Sequence, residues 1–338
     1  MKTSDLYDHL ADVTLELAWR QWTAIGVAGA RSGRQTIVDP EALLLATLSV
    51  GRLDARLFDE VLDWVAVNAQ LLDMARLRRL GKRATPDQHR LLGVVAQVAI
   101  DHGAKSRFNQ IAWAGVLARE ERGDYAPEPL FRSQGADSAT WTTADQQFAQ
   151  AGFLRSSPDL RGMSRAPDAT QPACLRFRAR ALVGPGARAE VLAYMWTHEW
   201  AYGRLIAERA AYNQAPVAEY LSSLADSGLA ERRSDGRRTM YRLAEGLRAV
   251  AAPEPAYVDW VRAWPALVAL LGALRPSGLS EGAGWVRLAE TLGVQRDALS
   301  AEGVDAEIGD LHAWAEAGSD RLAAGVESVT LRVRQLSE

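Results

Sequence analysis

A single cysteine, Cys174, among 338 residues excludes an internal disulfide and the paired-thiolate sites of structural zinc. Histidine is scarce and scattered, at His9, His89, His102, His198 and His312, and His198-Glu199 lacks the second histidine four residues from the first that a zinc-peptidase helix uses. No metal site is expected. There is no GxSxG and no cysteine–histidine pairing for nucleophilic catalysis. The glycine-rich stretches GVAGARSG (26–33) and GPGARAE (184–190) lack the Lys-Ser/Thr of a phosphate loop and the spacing of a dinucleotide site, and read as turns. The expectation is a protein without catalytic residues or cofactors. Long apolar runs are missing too: WPALVALLGAL (264–274) is cut by Pro265 and ended by Arg275-Pro276, short of the roughly 18 residues of a membrane span. The opening MKTSDLYDHLADV is acidic and amphipathic, unlike a signal peptide. A soluble, cytoplasmic chain with no membrane partner is expected. Neither charge sign dominates, with 39 basic and 42 acidic residues and a net charge of −3, so any contact with a polyanion must be a local patch.

What is present is helical punctuation. Asp39-Pro40-Glu41 places an N-cap, a proline at the first helical position and an acid in the first turn ahead of ALLLATLSV, which Gly51 stops. Asp54 opens a helix through Phe58, Leu62 and Val65, LLDMARLRRL ends at Gly81, and Thr85-Pro86-Asp87-Gln88 is a capping box. From Gly123 to Pro172, prolines among Gly, Ser, Asp and Thr indicate a connector draped over a surface, with one helical island near TADQQFAQAGFL. After a second break at Pro253-Glu254-Pro255, a Trp-rich helical region follows.

Between the breaks, periodicity predicts helices over about Ala187–Trp196, Tyr202–Ala210 and Gln214–Ser227. The last two are joined by a tight Ala211-Tyr212-Asn213 turn; Asn213 is the predicted N-cap and Gly228 the stop. Two short strands, LAERRS and TMYRL, then meet at Asp235-Gly236 in a hairpin. Gly203–Tyr220 resembles the helix-turn-helix of winged-helix transcription regulators of the ArsR/MarR-like kind. Ala207 takes the small-residue position between the helices, Ala211 the turn position usually held by glycine, and Val217 the buried β-branched position of the recognition helix. The match covers roughly residues 186–243.

The resemblance implies that Asn213, Gln214, Ala215, Pro216 and Glu219 face base edges, with Ser222 and Ser223 near phosphates. That helix has no lysine or arginine. The hairpin compensates, with Arg232, Arg233, Arg237, Arg238 and Arg242 against Glu231 and Asp235 in residues 227–243. Strand alternation predicts Arg233, Arg237 and Arg238 at the tip, with Arg188 and Arg204, and further back Arg176, Arg178 and Arg180, extending the patch. The cluster Arg76, Arg78, Arg79, Lys82 and Arg83 reads instead as cations complementing a helix C-terminus. Eleven tryptophans, among them Trp19, Trp22, Trp64, Trp113, Trp260, Trp264, Trp285 and Trp314, read as core or interface, a pocket for a flat apolar effector being the weaker alternative.

The expected fold is mainly α: a helical N-terminal domain (1–122), a connector (123–173), a central winged helix-turn-helix domain with a small β-hairpin (174–250) and a helical C-terminal region (256–338) for dimerisation or sensing. The expected function is a DNA-binding transcription regulator, a repressor, acting on double-stranded DNA as a homodimer. The alternative is a winged helix used as a protein-interaction module, such as an antitoxin-like or defence-associated partner protein.

Overall fold

Helix boundaries follow the local capping chemistry. In the computed structural model, which describes residues 2–29, 36–122, 126–131, 144–251, 256–276, 280–301 and 319–337, α1 spans Thr3–Ala24 and α2 spans Pro40–Val50. The Asp39 carboxylate accepts from the Ala42 amide, and Asp54 does the same for Arg56 and Leu57 at the start of α3 (Ala55–Asn68). Asp73 caps α4 (Met74–Gly81), and the capping box of Thr85 and Gln88 opens α5 (Pro86–Ala99). The chain reverses at His102 and Gly103, where φ is 99° at the glycine, and α6 (Lys105–Arg122) packs back along α5. Their axes cross where Gly93 faces Gly115; a Cβ on Gly115 would lie 2.5 Å from the Gly93 Cα.

The segment read as a draped connector contributes to the interior instead. Strand β1 (Glu128–Pro129) pairs in parallel with β2 (Phe153–Leu154), and α7 (Gln146–Gln150) lies between them in sequence. Phe131, Phe148 and Phe153 are buried, and the Arg155 guanidinium binds Asp59 in two contacts of 2.6 and 3.0 Å. The helical island near TADQQFAQAGFL is α7, shorter than that stretch, and the apolar residues outside it still fill space once tertiary packing places them.

Two cores result. The larger joins the N-terminal helices to α13 (Trp260–Leu274), α14 (Glu281–Ala301) and α15 (Ser319–Ser337), with α1 packed on α15 and α13 on α2. Trp22 and Trp64 meet edge to face in it, centroids 5.2 Å apart. Among the described residues no helix is long and apolar enough to cross a membrane. The chain is mainly helical with small sheets. Pro253-Glu254-Pro255, His312 and Trp314 lie outside the described residues, as do residues 30–33 of the first glycine-rich stretch and most of 123–143.

The smaller core is built by α8 (Leu175–Val183), α9 (Ala187–Met195), α10 (Gly203–Ala210), α11 (Gln214–Asp226) and a three-stranded sheet. LRFRARALV, whose alternating pattern alone would suit a strand, is the helix α8. Sheet order is β3-β5-β4, from β3 (Ala201–Tyr202), β4 (Ala230–Asp235) and β5 (Arg238–Leu243), all antiparallel. A short α12 (Glu245–Arg248) follows. Strand β3 was not expected from the sequence: two residues are too few to show a period.

Between α10 and α11, Ala211 adopts the left-handed region at φ 55°, ψ 46°. Its amide reaches Glu208 O at 3.3 Å and the Tyr212 amide reaches Ala207 O at 2.9 Å, the paired bonds of a Schellman ending. A left-handed alanine costs roughly 1–2 kcal/mol, and glycine there would lose about 0.5–1 kcal/mol of that advantage to its looser unfolded chain. Ala211→Gly is therefore expected to raise stability by about 0.5–1 kcal/mol, seen as a higher urea midpoint at unchanged slope; a lower midpoint would contradict the turn geometry.

Candidate nucleic-acid interface

The N-terminal half of α11 and the β4–β5 hairpin are both largely exposed. Helix α11 is amphipathic: Val217, Leu221 and Leu224 are buried against Ile206 and Ala207 of α10. The opposite side leaves Asn213, Gln214, Ala215, Pro216, Glu219 and Ser223 exposed, with Ser222 half-buried. Asn213 occupies the N-cap position with extended backbone, yet its side chain makes no capping bond, contrary to expectation, so its amide faces solvent. Both serine hydroxyls bond within the helix: Ser222 Oγ donates to Asp226 Oδ2 at 3.3 Å and Ser223 Oγ to Glu219 O at 3.0 Å.

The hairpin turns one residue later than the sequence suggested. Asp235 still pairs with Arg238, and the two-residue loop is Gly236-Arg237, with φ 56° at Gly236. Register then sorts the arginines. Ala230, Arg232, Tyr241 and Leu243 share the inner face, where Ala230 and Leu243 are buried and Arg232 reaches Asp226 at the end of α11, 3.2 Å away. Arg233, Arg238 and Arg242 share the outer face. There Arg233 lies over the Trp200 ring (4.0 Å to its centroid), Arg242 over the same ring (4.9 Å) and Arg238 over Tyr202 (4.6 Å). Arg233 thus stands back from the tip, two pairs from the loop and over Trp200, whereas Arg237 occupies the loop and Arg238 flanks it, over Tyr202 of β3.

Among the described residues, Arg233, Arg237 and Arg238 have no carboxylate partner, whereas Arg242 is paired with Glu231 at 2.7 Å and Glu199 at 3.4 Å. Arg204 is exposed and paired with Glu208 at 3.0 Å, and Arg188 is exposed over the Tyr220 ring at 5.7 Å. Both lie on helices packed against α11.

The remaining arginines correct the expected patch. Arg176 and Arg180 are buried with Arg76 in a cluster with Asp39, Glu41 and Glu190. Arg180 binds Glu41 at 2.8 Å and Glu190 at 2.9 Å; Arg76 binds Glu41 at 2.8 Å and also Asp39; Arg176 binds Glu190 and lies 3.5 Å from Asp39. Three guanidinium groups balance three carboxylates. Arg178 is spent on the carbonyls of Ala169, Thr170 and Val250, at 2.6–2.7 Å. Arg76 is in the first turn of α4, not at its C-terminal end, so the helix-dipole reading does not apply to it.

This cluster grips the α10–α11 turn. Arg76 Nε donates to Ala210 O at 2.8 Å, Arg79 donates to Ala211 O at 3.1 Å while lying over the Tyr212 ring, and the Tyr212 hydroxyl donates to Asp73. Burial pushes the Tyr212 phenol up, and the Asp73 hydrogen bond adds to it. A second tie joins Arg209 of α10 to Asp259, the N-cap of α13. No protein-family model, no curated protein and no solved structure matches this chain.

Trp200 and Tyr202 go unmarked in the sequence, and the contacts of Tyr212, Arg76 and Arg79 differ from the turn and helix-end roles read for them. Each acts through a partner far away in the chain, and no local spacing marks such pairs. His198, weighed as a metal ligand, stacks on Tyr194 with centroids 3.9 Å apart and stands edge-on to Tyr257. Burial lowers its imidazole below the usual value. Among the described residues, no group of three or more His, Cys, Asp or Glu is placed to hold a metal ion.

Proposed function

We propose that residues 174–250 form a winged helix that binds double-stranded DNA, and that the protein is a transcription regulator working as a homodimer. Helices α10 and α11 supply the helix-turn-helix, with α9 packed against both, α11 is the recognition helix, and the β4–β5 hairpin is the wing. The observation that carries this reading is the pairing of an exposed, polar α11 N-terminus with a hairpin whose Arg233, Arg237 and Arg238 lack carboxylate partners among the described residues. Exposed guanidinium groups left unneutralised favour phosphate, and Gln214 and Asn213 have the donor–acceptor pair that reads adenine. A dimer doubles a site that one short helix reads too briefly for specificity.

If so, replacing Arg237→Ala together with Arg238→Ala weakens retention of every duplex sequence and reduces the slope of log affinity against log salt by about 2. Gln214→Ala instead relaxes preference among sequences at similar salt slope. Binding to genomic fragments that is indifferent to the double arginine change sinks the wing assignment.

A protein-interaction module is the second reading. It is favoured by the absence of any basic residue on α11 and by the cationic–aromatic outer face of Trp200, Tyr202, Arg233 and Arg238. Stoichiometric co-purification with a protein, without salt-sensitive DNA retention, distinguishes it.

A further inference from the structure

A cavity of about 750 Å³ lies between α2, the α4–α5 connection, α13 and α14, lined by none of the residues of α11 or the hairpin. Its volume is that of a site for a small organic molecule. Apolar side chains such as Ala46, Val268 and Leu271 form much of the wall. Trp264 belongs to the same wall and is buried.

Charge at the cavity has a sign. Four arginines line it, at 52, 83, 262 and 275, against Asp87 and Asp297. Asp87 is engaged by Arg52 at 3.1 Å and by Arg90, and Arg262 lies 4.0 Å from Asp259. Arg83 and Arg275 have no ion-pair partner among the described residues and are exposed. They come from different walls, Arg83 just after α4 and Arg275 just after α13.

We propose that this cavity binds an apolar organic anion: a flat or branched hydrocarbon body against α2 and α13, and a carboxylate or sulfonate held by Arg83 and Arg275. The site does not depend on the DNA-binding reading and is tested without DNA.

The full-length protein is titrated with 1-anilinonaphthalene-8-sulfonate and, separately, with its uncharged counterpart N-phenyl-1-naphthylamine, following fluorescence. One saturable site per chain is expected, with the sulfonate bound about tenfold or more tighter than the neutral compound. Arg83→Ala with Arg275→Ala, both solvent-exposed positions, removes that preference and leaves the neutral compound's affinity in place. Ala269→Trp, which fills the cavity from α13, removes both while the protein keeps a cooperative thermal transition. The proposal is overturned by non-saturable binding, by equal affinities for the two probes, or by binding unchanged in both the arginine pair and a folded Ala269→Trp.

Discussion

Arg76→Ala is expected to lower the stability of the fold by about 3–5 kcal/mol, the range for removing one partner of a fully buried ion pair. The side chain is buried and holds Asp39, Glu41 and the Ala210 carbonyl at once, so its loss leaves three buried carboxylates against two guanidinium groups, with Asp39 facing only Arg176 at 3.5 Å and Glu41 only Arg180, and orphans the Ala210 carbonyl. Burial alone would push the Asp39 carboxyl up, but the guanidinium groups of Arg76 and Arg176 outweigh it and hold Asp39 well below the usual carboxylate range. For Glu41, burial is likewise overcome by Arg180 and Arg76. Against the pull of its own burial, Arg76 is held above its ordinary value by the same two acids.

The sign of the pH dependence follows from these depressed values. A carboxylate that binds protons more weakly folded than unfolded stabilises the fold above its unfolded pKa and loses that contribution as pH falls. With ordinary values of 3.8 for Asp39 and 4.5 for Glu41, the loss begins near pH 4.5 and deepens below it. Urea midpoints measured from pH 7 to pH 3 are expected to fall steeply in that last interval for the wild-type chain. In Arg76→Ala, which is already weakened at pH 7, the fall is shallower. A parallel fall in both proteins contradicts the assigned pairing.

Gly115→Leu is expected to cost at least the 1–3 kcal/mol typical of overpacking. The reason is the crossing of α5 and α6, where a Cβ on either glycine meets backbone: 2.5 Å from the Gly93 Cα in one direction and 2.7 Å from the Gly115 Cα in the other. Backbone cannot rotate aside as the end of a side chain can, so the helices must separate. Gly272→Ala in α13 is the control, since its added Cβ meets nothing within 4 Å and φ is not positive. That change replaces a poor helix former and is expected to stabilise by up to about 1 kcal/mol. Equal effects at the two positions, read from thermal unfolding, would falsify the close approach.

Neither the buried arginine nor the glycine crossing is spelled out locally in the chain, whereas the helix starts are. Caps and punctuation are local chemistry: Asp39-Pro40, Asp54 and Thr85-Pro86-Asp87-Gln88 identify starts that the structure bears out by named hydrogen bonds. The helix–helix–helix–hairpin order of 187–243 is legible instead from apolar periodicity and the glycines at 228 and 236, since none of its three helices carries a side-chain cap. Arginine is not legible. Arg176 and Arg233 look alike in sequence, yet one is buried against Glu190 and Asp39 and the other lies exposed over Trp200. Only partners 137 and 33 positions away, for Arg176 with Asp39 and Arg233 with Trp200, decide between them. The Gly93–Gly115 contact is hidden likewise, because a glycine inside a helix pattern reads as a local weakness rather than as clearance for a neighbour.

A boundary drawn at Cys174 runs through the buried charge cluster and divides it unevenly. Arg176, Arg180 and Glu190 fall on one side and Arg76, Asp39 and Glu41 on the other, so each piece would carry unmatched charge of opposite sign across a newly wetted surface. Residues 174–250 are therefore not a cassette that can be cut out and grafted elsewhere. What this chain would pass on in recombination is the unit together with α2 and α4, the two helices that, with the Asp39 cap, carry its counter-charges.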